Sequence, residues 1–82
     1  MDIKILVKMA NQIETFFRSQ DEDGNAIAEG VRNHIERSWD PRMRQQIKGY
    51  VEAGGEGLGE FAIEAVKRLQ PLSPQWGGSK VA

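Results

Sequence analysis

Ile35-Glu36-Arg37-Ser38-Trp39-Asp40-Pro41-Arg42-Met43-Arg44 holds a helix stop and a helix start side by side. Pro41 disfavours helical geometry for the residue before it, so a helix arriving at Trp39 has to end there. Proline is at home in the first position of a new helix and aspartate is a good N-cap, so Asp40 and Pro41 open the next one. Upstream, Ile27, Val31, Ile35 and Trp39 step at i+4 down one side of a helix that begins at Asn25 or just before, with Asn25 as the N-cap. Downstream, Met43, Ile47, Tyr50 and Val51 form the apolar stripe of a helix from Pro41 to about Ala53, with Gly49 a mild weakness.

The same period extends outward on both sides. Over residues 3–18, Leu6, Met9, Ala10, Ile13, Phe16 and Phe17 recur at steps of three and four, giving a first helix that ends in the polar run of residues 19–24. Gly54, Gly55, Gly57 and Gly59 break the third helix. A fourth, starting at Leu58 or Gly59 and ending at Leu69, carries Leu58, Phe61, Ala62, Ala65, Val66 and Leu69 on one face. Beyond Gln70, Pro71, Pro74, Gly77 and Gly78 leave no periodicity, and Trp76 is the one large aromatic residue there. No repeat is present, and no alternating run argues for a strand. The expected fold is all-α: a small bundle of four short helices in a domain over residues 1–70, then an extended or disordered C-terminal tail over 71–82.

A chain of 82 residues with 39% hydrophobic side chains makes a small core. Domains of this size bury only about 60% of their unfolded surface, and core packing supplies on the order of 3–5 kcal/mol. A partner would add to that. Cysteine is absent, which removes disulfides, iron–sulfur ligation and thiolate chemistry together and fits a reducing cytoplasm. Asp2, Lys4 and Lys8 interrupt the apolar residues at the N-terminus, so no signal-peptide core forms, and nothing approaches the roughly 18 apolar residues of a membrane span. The chain reads as soluble and cytoplasmic, with no membrane partner.

The inventory is poor in catalytic chemistry. His34 is the one histidine, and it falls at the border of the Ile27, Val31, Ile35 stripe with no partner at a spacing that would make it a base. Asp21-Glu22-Asp23-Gly24-Asn25 lacks the alternating ligands and terminal glutamate of a calcium loop. Gly54-Gly55-Glu56-Gly57-Leu58-Gly59 has no strand before it and no Lys-Ser or Lys-Thr after it, and its glutamates oppose a phosphate. It reads as a tight connection between helices. Phe16, Phe17, Trp39, Tyr50 and Phe61 lie at helical spacing and are assigned to the core, except that adjacent Phe16 and Phe17 diverge by about 100°, which can leave one at the edge. Such an edge is a candidate binding surface.

Residues 32–48 carry Arg32, Arg37, Arg42, Arg44 and Lys48 against Glu36 and Asp40, a local charge of +3 in a chain of net charge -1. One reading is a helix-turn-helix-like nucleic-acid-binding regulator using Arg42, Arg44, Gln45, Gln46 and Lys48. The balanced net charge opposes it. The others are a solvated basic face and a docking site for an acidic protein surface.

Three segments together carry a family resemblance. Leu6-Val7-Lys8-Met9-Ala10-Asn11-Gln12-Ile13 with Phe16-Phe17, then Ile35 to Trp39 running into Asp40-Pro41-Arg42-Met43-Arg44, then Gly55-Glu56-Gly57-Leu58 ahead of Glu64-Ala65-Val66, resemble the delta subunit of soluble NAD-dependent, molybdenum-containing formate dehydrogenase. The Met-Ala-Asn-Gln-Ile and Trp-Asp-Pro-Arg-Met strings are its specific part. The resemblance implies a non-catalytic accessory subunit that supports assembly or stability of the complex. It also implies partners, the large subunits, that hold the molybdopterin guanine dinucleotide, iron–sulfur clusters, FMN and NAD. Asn11 and Gln12 are polar beside an apolar stripe, and Arg42 and Arg44 open a helix whose dipole disfavours cations. With Trp39, Asp40 and Met43 they form the expected partner-binding surface. An apolar edge left without its partner is open to homodimerisation.

Overall fold

The structure, a computed structural model, describes residues 2–69. They form four helices: α1 (Ile3–Gln20), α2 (Gly24–Ser38), α3 (Pro41–Glu52) and α4 (Glu60–Lys67). No strand occurs among the described residues. The expected tail over 71–82, with Trp76, lies outside them.

Local chemistry sets most of the boundaries. At the Trp39–Pro41 break, Asp40 takes extended geometry and its carboxylate accepts the Met43 N–H at 2.9 Å, with Pro41 in the first turn. Asp2 caps α1 through the Lys4 N–H. At α2 the expectation is corrected by two residues: Asp23, not Asn25, is the N-cap, and its carboxylate accepts the Asn25 N–H. Starting there places Gly24 in the first turn against Phe61, whose ring would lie 2.8 Å from a Cβ at that position. The third helix ends in a Schellman arrangement. Gly55 donates to the Tyr50 carbonyl and Gly54 to the Val51 carbonyl, with Gly54 at φ +126°, a backbone state that L side chains rarely adopt.

One core joins all four elements: Leu6 and Ala10 of α1, Ile27, Val31 and Ile35 of α2, Trp39, Ile47 of α3, and Leu58, Ala62, Ala65, Val66 and Leu69 around α4. α4 packs between α2 and α3, and α1 touches the other three. The α1–α2 approach is close because Gly30 faces Phe17, whose ring would lie 2.5 Å from a Cβ there.

The seat of α4 is built by α1. Gly59 provides no capping side chain, and the buried carboxylate of Glu14 stands in, accepting the Phe61 N–H at 3.3 Å. A negative charge at a helix N-terminus is stabilising, and here it also meets a free backbone donor. Asn11 binds the same loop with both ends of its amide. Its Nδ2 donates to the Gly57 carbonyl and its Oδ1 accepts the Gly59 N–H, each at 2.9 Å. Tyr50 closes the loop from the other side, donating its hydroxyl to the Glu56 carbonyl at 2.6 Å.

A polar network ties α2 to α4. Glu29 accepts from Arg32 and from Arg68, at 2.8 and 2.9 Å, Arg32 also reaches Glu36, and Arg68 reaches Glu64. Hydrogen bonds from Arg32 first, then Arg68, hold the Glu29 carboxyl below its ordinary value of 4.5. A lowered carboxylate contributes stability above its unfolded pKa and loses it as pH falls through its folded pKa. The Glu29→Gln variant is therefore expected to melt at a less pH-dependent temperature than the unmodified chain as pH is taken down through 4.5. Thermal melts by circular dichroism check this; parallel acid limbs would show that the network has no part in acid stability.

Candidate functional site

The clearest concavity lies between α1 and the C-terminal turn of α2. Met9, Gln12, Ile13, Phe16 and Phe17 form one wall, and His34, Ser38 and Trp39 form the other, enclosing about 430 Å³. Trp39 is buried at 4% exposure and makes the floor, whereas Phe16 stands 57% exposed at the rim. Phe16 meets Phe17 edge-on at 5.1 Å, and His34 meets Phe17 at 6.4 Å. The core assignment therefore holds for Trp39, while Phe17, Tyr50 and Phe61 pack partly buried against the core and Phe16 lies outside it. His34 is exposed against the Phe17 ring.

The expected surface residues are divided. Gln12 and Trp39 share the groove. Asn11, one residue earlier, points about 100° away and holds the Gly57–Gly59 loop of its own chain. Asp40 caps α3, Met43 packs on the core, and Arg42 is exposed. Arg44 is half-buried, with its Nε shielded from water and unpartnered among the described residues. Arg32, counted in the basic stretch, is paired with Glu29 and Glu36, so its charge is balanced within α2.

Within the glycine segment, Gly54 and Gly55 already donate to the Val51 and Tyr50 carbonyls and Leu58 to the Gly55 carbonyl. Gly59 and Phe61 donate to Asn11 and Glu14, and a carboxylate already occupies the N-terminus of α4. No group of three or more His, Cys, Asp or Glu side chains among the described residues is placed to hold a metal ion. No helix among them is long and apolar enough to cross a membrane.

Two residues that organise the packing around α1 escaped the sequence reading. Glu14 falls on the buried side of α1, four positions after Ala10 and three before Phe17, and an acid at such a position signals a buried partner. Gly30, inside a helical pattern, marks a close approach.

A family model described as NADH-dependent formate dehydrogenase delta subunit FdsD matches residues 5–66. No curated protein matches the chain, and no solved structure does. The matched span begins at Ile5 in α1, covers α2 and α3 and reaches Val66 in α4, so it includes the groove and the Glu14 seat.

Proposed function

Because the chain belongs to the NADH-dependent formate dehydrogenase delta-subunit family, we propose that it is a non-catalytic accessory subunit that docks on the large subunits and supports assembly or stability of their complex. Family membership over most of the chain carries this reading. It is supported by a small core beside an open apolar groove, an arrangement suited to binding. In this reading the molybdopterin guanine dinucleotide, iron–sulfur clusters, FMN and NAD belong to the partner subunits, and the compartment is the cytoplasm. The chain contributes no cysteine to such clusters. Docking uses Gln12, Trp39, Asp40, Arg42, Met43 and Arg44, with Asn11 bracing the loop behind them.

The test is recovery of tagged full-length chain from cells expressing the large subunits, washed at moderate salt and followed by mass spectrometry. The large subunits are expected to co-purify. Arg42→Glu combined with Arg44→Glu is expected to weaken recovery while helicity stays intact. Nucleic acid in place of the subunits would favour a basic helical regulator built on Arg42, Arg44 and Lys48. Subunits recovered equally by the double variant would remove both arginines from the interface.

A further inference from the structure

Ile5 and Phe16 are the exposed large hydrophobic residues among those described, and both lie on α1. Eleven positions apart, they fall within about 20° of one line along the helix and about 16 Å from each other. Met9 and Gln12 stand between them, completing an i, i+4, i+7, i+11 stripe that runs from the groove toward the N-terminus of α1. The stripe is about three turns long. Phe17 lies against Gly30 and His34 of α2, while Met9, Gln12 and Ile13 share the groove with Ser38 and Trp39. The two helices thus run in opposite directions and leave a channel between them. A third helix laid in such a channel would present side chains at its own i, i+3 or i+4 and i+7 positions to the stripe.

Charge selects the kind of helix. α1 exposes Lys4 and Lys8 toward the stripe, with Lys8 nearer to it, whereas Arg18 turns away over the Phe61 ring and the helix's one acid, Glu14, is buried against the α4 loop. Arg37, next to Ser38 in the last turn of α2, is exposed as well. Asp40 is the exposed carboxylate beside the lining residues, and it accepts the Met43 N–H. The channel is therefore apolar in its floor and cationic at its edges where Lys8 and Arg37 flank Met9 and Ser38, with the exposed carboxylates of Asp2, Asp21 and Glu22 confined to the two ends of α1. A second copy of this chain would bring Lys4, Lys8 and Arg37 against a surface of the same sign. A helix with an apolar face and acidic flanks meets both features at once.

We propose that this channel receives an amphipathic, acid-flanked helix of about three turns from one of the large formate dehydrogenase subunits. The proposal rests on the accessory-subunit reading and names the chemistry of its partner. It is tested with the full chain in its complex, carrying a photo-reactive phenylalanine analogue at position 16 and, as a control, at position 67, where exposed Lys67 ends α4. Position 16 is expected to cross-link to one large subunit, within a peptide of helical apolar spacing and net negative charge, and position 67 to leave that peptide unlabelled. Lys8→Glu with Arg37→Glu, both at exposed positions, is expected to lower recovery of the complex roughly tenfold, more steeply at low salt. Cross-linking of position 16 to a second copy of the chain or to nucleic acid would overturn the proposal, as would undiminished recovery by the charge-reversed variant. If the subunits co-purify while position 16 stays silent, the channel is not the interface and the accessory role stands. If the unmodified chain recovers no subunit, the accessory role fails and the channel's partner with it.

Discussion

Trp39→Ala is expected to cost about 3–5 kcal/mol, the range for removing a large aromatic side chain from a core, and to abolish cooperative unfolding of the chain. The magnitude matters because the whole core supplies only on the order of 3–5 kcal/mol. Trp39 is 4% exposed, belongs to the cluster that joins all four helices, and floors the groove. Its loss would open space beneath α1 and at the start of α3 together. Phe16→Ala provides the contrast. That ring is 57% exposed and its one aromatic contact among the described residues is the edge-on packing with Phe17, so its removal should cost about 0.5–1.5 kcal/mol. Far-UV circular dichroism with urea titration separates the two. A Trp39→Ala chain that stays helical with an unshifted midpoint would show that Trp39 serves the groove without supporting the core.

The expectations that held are those resting on local chemistry. Asp40 and Pro41 meet the needs of a helix start within their own residues, and the Ile27, Val31, Ile35 and Trp39 stripe is buried throughout. At α2 two capping residue types stood close together. The choice fell to Asp23 in a helix that seats Gly24 against Phe61, a residue far away in sequence. For residues 32–48 one partner of Arg32 lies outside the segment. A segment opened at Arg32 leaves out Glu29, three positions earlier on the same helix face, which with Glu36 holds the guanidinium.

The candidate surface was readable in part. Gln12 and Trp39 meet in the groove, but Asn11 and Gln12 are neighbours in sequence and diverge in space. The string they share therefore serves two ends: one side chain fixes the loop before α4 and the next lines the channel. Periodicity showed that one of Phe16 and Phe17 could lie at an edge. That it is Phe16 depends on Gly30, which admits the Phe17 ring against α2.

Glu14 and Gly59 are expected to behave as a single unit in a double-mutant cycle. A Cβ added at Gly59 would overlap the Glu14 carboxylate, although the backbone there, at φ -67°, suits any residue. The cost of Gly59→Ala is thus steric, and it falls on the one group that caps α4. Displacing that carboxylate leaves the Phe61 N–H without its acceptor, a loss of about 1–3 kcal/mol. Glu14→Ala should cost a similar amount through the lost cap. Once the carboxylate is gone, however, the alanine at position 59 has room, so the double variant should be little worse than Glu14→Ala alone. Urea midpoints of the four chains measure the coupling, and strict additivity would mean that the two residues do not meet. The same pair distinguishes scaffold from surface: α4 and its loop pack on the side of α1 away from the groove, so Glu14→Ala should lower stability while leaving cross-linking from position 16 intact in the chains that remain folded.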